Sequence, residues 1–222
     1  MKQGKSIKTA LNHYVFFPES SRDNYATIVA LHGRGANAQD LVPLIQAMSL
    51  EEVLLIAPQA PFELNLGLVQ GYAWYDMYEV GTPHPETFKK GLGLLQHFIS
   101  EVKAAYPIDP NRILLLGFSQ GTIMSYAVGL LEPKDFRGIA ALSGYVPVNS
   151  GLPLRLQELN DFPIFISHGA YDDTIPVRFG RESYELLKKS GADVVYHEYP
   201  MGHEVREETL IDLAAWMHRV LT

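Results

Sequence analysis

Ser119 stands in Gly117-Phe118-Ser119-Gln120-Gly121, directly after the apolar run Ile113 to Leu116. Such a run, bounded by glycine, suits a strand buried on both faces, and the following TIMSYAVGLL suits a helix. A Ser between two glycines, where a buried strand turns sharply into a helix, is the setting of a nucleophile elbow. The glycines let strand and helix approach closely and leave the hydroxyl at the tip of the turn. A serine hydroxyl is a weak nucleophile at neutral pH, so it needs a base, and the base needs an acid to orient it. In this kind of turn the partners follow the Ser as acid and then His.

Downstream, Asp161, Asp172 and Asp173 fall in expected loops, and His168, His197, His203 and His218 are the imidazoles. Asp172 and Asp173 lie just past a short apolar run, Pro163 to Ser167, where the acid belongs. His203, in Pro200-Met201-Gly202-His203-Glu204, falls between the last expected strand and the last helix, where the base belongs. His197 sits within a strand and His218 on a helix, which suits packing or surface roles; His168 ends a strand and is placed to brace the acid loop.

The elements that must hold these residues follow from periodicity. Apolar runs at 25–31, 53–56, 113–116, 138–142, 163–167 and 194–199 read as strands, with an aromatic edge strand at 14–17. Helices are expected over about 39–48, 86–106, after the elbow, 177–190 and 205–221. Phe88, Leu92, Leu95, Ile99 and Val102 form the inner stripe of the second. Strands alternating with helices predict a mainly parallel sheet with helices on both faces. His32-Gly33, the elbow, Ser143-Gly144 and His168-Gly169 each end a strand, so all four steps should gather on the carboxyl rim, where open parallel sheets bind ligands. Residues 59–85, with Pro61, Gly67, Gly71, Gly81, Pro83 and Pro85, read as a long irregular loop. It also carries Phe62, Leu64, Leu66, Leu68, Tyr72, Trp74, Tyr75 and Tyr78, apolar residues that need something to cover.

The 222 residues predict one domain, 1–222, with an ordinary globular composition of 47% hydrophobic and 19% charged residues. The net charge of −7, with no Lys/Arg cluster, argues against nucleic acid as the main partner. Without Cys there is no disulfide, thiolate nucleophile or Cys-based metal site. No run approaches a membrane span and the N-terminus lacks a signal-peptide core, so the expectation is a cytoplasmic chain without stable membrane insertion. No His pair has metal-ligand spacing on one helix face; no metal and no cofactor are expected.

Six segments, LHGRG, AWYDM, GFSQG, LSGYVP, SHGAYDDTIP and MGHEV, together resemble the phospholipase/carboxylesterase family of α/β hydrolases, compact esterases akin to acyl-protein thioesterases. The resemblance spans roughly residues 31 to 205 and implies an α/β-hydrolase fold without a large cap domain. It implies Ser119 as nucleophile, Asp172 as acid with Asp173 one register step away, and His203 as base. It places the oxyanion-hole N–H groups at Gln120 and Arg34, and Trp74 and Gly33 at the substrate site. Arg34 departs from an aliphatic residue in many relatives, which opens charge recognition of an anionic substrate as a second role. The expected reaction is hydrolysis of a small-molecule ester or acyl substrate. Lysophospholipase or acyl-protein thioesterase activity uses the same triad, and a non-enzymatic receptor for small molecules is the rival from another class. Oligomeric state, a homodimer included, is left open by the sequence.

Overall fold

The structure, a computed structural model, describes residues 1–50, 52–65, 67 and 69–221. Leu66 and Leu68, counted above among the apolar residues of the 59–85 stretch, lie outside the described residues.

The strands are β1 (Lys2–Gln3), β2 (His13–Phe17), β3 (Tyr25–Leu31), β4 (Val53–Pro58), β5 (Phe62–Asn65), β6 (Gln70–Ala73), β7 (Met77–Glu79), β8 (Thr82–Pro83), β9 (Ile108–Phe118), β10 (Gly138–Leu142), β11 (Pro163–Gly169) and β12 (Asp193–Tyr199). The helices are α1 (Val42–Ala47), α2 (Pro85–Ala105), α3 (Gln120–Leu131), α4 (Arg178–Lys189) and α5 (Glu207–Leu221). Eight strands form one sheet in the order β1-β2-β4-β3-β9-β10-β11-β12. The β1–β2 and β2–β4 pairs are antiparallel, and every other pair is parallel.

The central strands alternate their side chains between two apolar layers, as the period of two in a pleated strand requires. Val29 and Leu31 of β3, with Ile113 and Leu115 of β9, face the layer built with α2, α3 and Leu187 of α4. Ile28 and Ala30, with Leu114 and Leu116, face the layer built with α1 and α5. This covering of both faces is why the central strands read as continuous apolar runs rather than as alternating ones. The expected inner stripe of α2 is buried throughout. Helix α3 is buried along nearly its whole length, from Gln120 to Leu130, and so shows little amphipathic pattern.

The 59–85 stretch differs from the expected loop. It carries two short antiparallel hairpins, β5–β6 and β7–β8. Backbone polar groups that lie against a folded surface need partners, and hairpin pairing supplies them. The first hairpin also docks onto the turn after β3: Gly35 N–H donates to Tyr72 O at 2.8 Å, and Tyr72 N–H donates to Ala36 O at 3.0 Å. Gly71 has no room for a side chain at this joint, since a Cβ there would lie 2.4 Å from Gly35 O. Strand β1 had no counterpart among the expected elements; two residues carry no periodicity to read.

Candidate active site

The four polar steps meet on one rim. In register, Leu31 of β3 pairs with Gly117 of β9, Phe118 with Leu142 of β10, and Leu142 with Ser167 of β11. His32, Ser119, Ser143 and His168 thus lie at or just beyond the carboxyl ends of four adjacent parallel strands.

Ser119 has φ 54° and ψ −118°, a conformation that L-residues rarely adopt. Strain of this kind costs on the order of 1–3 kcal/mol and persists only where the surroundings impose it. Two close approaches impose it here. A Cβ on Gly117 would lie 2.4 Å from the Gly121 carbonyl, and one on Gly121 would lie 1.9 Å from Leu31 O. No residue but glycine fits at either position, so strand and helix can press together around the Ser. The Ser119 N–H is held by Leu142 O at 2.9 Å, which ties the tip of the turn to the next strand.

Asp172 is buried, and each of its carboxylate oxygens has partners. Oδ1 accepts the N–H groups of Thr174 at 3.0 Å and Ile175 at 2.7 Å. Oδ2 lies 2.7 Å from His203 Nδ1. Asp173 is exposed, and Asp161 pairs with Asn160 on the surface, so of the three candidate acids only Asp172 is brought to an imidazole of the rim. His203 is reached by a loop that passes tightly over β11, since a Cβ on Gly169 would lie 2.1 Å from Gly202 O. The His203 ring lies 4.9 Å from the Phe118 ring, next to the candidate nucleophile. His168 does brace the acid turn: Nε2 lies 2.7 Å from Ile175 O and 3.5 Å from Asp172 Oδ2, and burial lowers its pKa. His197 of β12 packs against Phe165 of β11 and Tyr199 of its own strand, and His218 lies on α5.

The loop after β3 lies beside the Ser. A Cβ on Gly33 would come within 3.5 Å of Ser119 Cβ. The Arg34 side chain is exposed. Gln120 opens α3, where helix geometry leaves the first backbone N–H groups without an internal acceptor.

Trp74 is placed differently from its expected position as a wall of the substrate site. It is fully buried, and its indole N–H donates to His32 O at 2.9 Å. It props the loop from behind and offers no surface to a ligand. The Gln120 side chain, read in the sequence only for its backbone, holds the same segment. Its Oε1 accepts Trp74 N–H at 2.7 Å, and its Nε2 donates to Tyr75 O at 2.8 Å. The available signal was a glutamine opening a buried helix that carries no other amide and no charged side chain.

His32, in the sequence only part of a strand-ending His-Gly step, is a second residue with a role at the site. Its Nε2 accepts Ala60 N–H at 3.1 Å and its Nδ1 faces Gly33 O at 2.7 Å, the pattern of a neutral ring. Burial lowers its pKa to about 4, against a smaller opposing effect of the Gly33 carbonyl. The unfolded chain therefore takes up this proton near pH 6.5 while the folded chain resists it down to about 4. Stability is fully present above pH 6.5 and falls as pH drops, by about 3 kcal/mol at pH 4 from this group alone. Urea unfolding at pH 7 and pH 4 should show a His32→Asn variant losing about that much less than the wild type between the two. Equal losses would refute the assignment.

A groove of 260 Å³ opens between Gly81, Tyr145, Val148, Phe179 and Leu186. It adjoins the rim, because Gly144, just before Tyr145, would bring a Cβ within 3.0 Å of Ser119 O. A larger cavity of 690 Å³ lies among Met1, Pro18, Gln46 and Leu50, near the opposite ends of the strands, and no imidazole lines it.

A strained Ser at a strand-to-helix turn, a buried carboxylate bound to an imidazole, and a glycine loop beside the Ser on a parallel sheet define a hydrolase of the serine type. The sequence model of the phospholipase/carboxylesterase family matches residues 12–221. Acyl-protein thioesterase 1 of Candida albicans is 30% identical over 222 residues, covering 92% of this chain and 96% of the relative. Acyl-protein thioesterase 1 of Debaryomyces hansenii is 34% identical over 180 residues, covering 78% and 77%. Among solved structures, esterase PE8 superposes with a TM-score of 0.85 at 25% identity, covering 95% of this chain and 99% of that one. The chain belongs to the phospholipase/carboxylesterase family of α/β hydrolases, and it is a carboxylic ester hydrolase.

Proposed function

We propose that the chain hydrolyses carboxylic esters or thioesters through an acyl-enzyme on Ser119, with His203 as general base and Asp172 as the orienting acid. The observation that carries this reading is the 2.7 Å contact of His203 Nδ1 with Asp172 Oδ2 beside the strained Ser119 elbow. With Nδ1–H committed to the carboxylate, Nε2 is the basic nitrogen. It takes the Ser119 proton as Oγ attacks the carbonyl carbon. The Arg34 and Gln120 N–H groups stabilise the oxyanion, preorganised donors each worth on the order of 10²–10³ in rate. His203 then protonates the leaving alcohol or thiol, and water repeats the cycle on the acyl-enzyme.

The relatives named acyl-protein thioesterase point to an acyl thioester. The surroundings favour an apolar acyl chain. Val69, Met77, Tyr78, Val148 and Tyr171 are exposed large apolar side chains, all on loops and hairpins that follow the carboxyl ends of the parallel strands. The groove beside Tyr145 and Phe179 offers such a chain a half-covered path. Among the described residues no helix is long and apolar enough to cross a membrane. We assign a cytoplasmic hydrolase that meets its acyl substrate from solution.

A fluorophosphonate probe should label the protein at one site per chain, and peptide mapping should find the label on Ser119. Activity across acyl chain lengths, on matched esters and thioesters, should rise beyond acetyl. Absence of labelling would favour a receptor on this fold. A rate that falls steadily from acetyl would remove the apolar acyl assignment and leave the chemistry standing.

A further inference from the structure

We propose that His32 is a positioning residue of the oxyanion hole: its Nδ1–H holds the Gly33 carbonyl, and so fixes the direction of the Arg34 N–H in the same peptide. The inference rests on the hydrolytic reading above and extends it to a residue that touches neither substrate nor Ser119.

Among the described residues no peptide bond is cis, and in a planar trans unit C=O and the following N–H point in opposite directions. Whatever grips Gly33 O therefore aims Arg34 N–H. His32 Nδ1 grips it at 2.7 Å; the second contact, from Ala36 N–H, is longer at 3.3 Å. Among the described residues the Arg34 N–H itself has no acceptor, as a donor reserved for a ligand should be. Left unheld, this peptide could rotate and present its carbonyl to the developing negative charge, the reverse of what the reaction needs.

The ring is in turn locked. Its Nε2 accepts Ala60 N–H at 3.1 Å and lies 3.1 Å from Gln59 Nε2, so the single proton of the neutral ring must sit on Nδ1. The Gln59 carbonyl side accepts Ala38 N–H at 3.2 Å, further along the same loop. Trp74 covers the ring at a centroid distance of 5.6 Å and holds the His32 carbonyl. His32 is 1% exposed, so water does not compete for either nitrogen. The ties at Gly35 and Ala38 hold the far part of the loop, so on the 33–34 peptide the short His32 contact is joined only by the longer one from Ala36.

The test compares wild type with His32→Leu, which fills the space and removes the donor, and His32→Asn, whose amide N–H can reach Gly33 O. On a short-chain chromogenic ester, His32→Leu should lose on the order of 10²-fold in kcat with KM within about threefold, as expected of an interaction made only in the transition state. Affinity for an aryl trifluoromethyl ketone, which forms a tetrahedral adduct on the Ser, should weaken in parallel. His32→Asn should recover most of both. A folded His32→Leu with kcat and ketone affinity within threefold of wild type overturns the proposal, as does a loss that appears in KM alone. Imidazole ¹⁵N spectra of the wild type should show His32 as the Nδ1–H tautomer between pH 6 and 8. The Nε2–H tautomer overturns the proposal even where His32→Leu does not fold. Failure of the wild type to react with the fluorophosphonate would instead sink the hydrolytic reading itself, an outcome distinct from an unaffected His32→Leu.

Discussion

Ser119→Ala should leave a folded protein with kcat on a short-chain ester reduced on the order of 10⁶-fold, since removing a serine nucleophile costs about as much as removing its whole triad. The residual rate, on the order of 10³–10⁴ over water, would come from the oxyanion donors and from binding. Stability should hardly change, because alanine meets the same adverse φ of 54° and loses only a small, nearly buried hydroxyl. Ser119→Gly separates strain from chemistry. It should be equally inactive, yet at least as stable as the alanine variant: relief of about 1–3 kcal/mol of backbone strain offsets glycine's extra chain entropy of about 0.5–1 kcal/mol. Melting temperatures and initial rates of the two variants check both halves. Activity within a few-fold of wild type in either would end the assignment of Ser119.

This elbow was also the most legible part of the sequence, and the reason is physical. A close approach of backbone to backbone admits only glycine, so Gly117 and Gly121 announce the geometry by identity alone. Strands β3, β9, β10 and β11 were legible for a related reason. A strand covered on both faces reads as a nearly continuous apolar run, and its short length and flanking glycine separate it from a buried helix. The bounds of β3 and β10, Tyr25–Leu31 and Gly138–Leu142, are those read from the sequence.

What stayed hidden depends on partners far away in the chain. The hairpins β5–β6 and β7–β8 are built from residues whose Pro and Gly content reads as loop. The first is held by the turn at Gly35 and Ala36, some thirty-five positions earlier, and the second by the Tyr145 hydroxyl, which accepts Gly81 N–H. Trp74 looks alike in the sequence whether its ring faces a substrate or the back of the His32 loop; only the hydrogen bond to His32 O decides. The same holds for Gln120, whose side chain stands in for a strand edge toward Trp74 and Tyr75. Local pattern identifies elements that satisfy themselves. It does not identify side chains that satisfy someone else's backbone.

The acid of the proposed triad sits between these cases. The sequence offers two adjacent aspartates, and one step of register decides between them. Asp172 is buried, with Oδ1 on Thr174 and Ile175 and Oδ2 on His203, whereas Asp173 faces solvent. Asp172→Asn should therefore lower kcat on the order of 10⁴-fold. An asparagine can keep its carbonyl on the Thr174 and Ile175 N–H groups, which leaves its NH₂ toward His203. That amide cannot accept Nδ1–H, so the imidazole moves its proton to Nε2 and loses the lone pair that should receive the Ser119 proton. Asp173→Asn removes an exposed charge and should stay within about threefold of wild type, as surface substitutions do. Initial rates of the two variants, measured with the fraction of folded protein known from unfolding curves, decide the register. A comparable loss at both positions, or a greater one at Asp173, would mean that the carboxylate beside His203 does not do the orienting, and the tautomer argument would have to be abandoned with it.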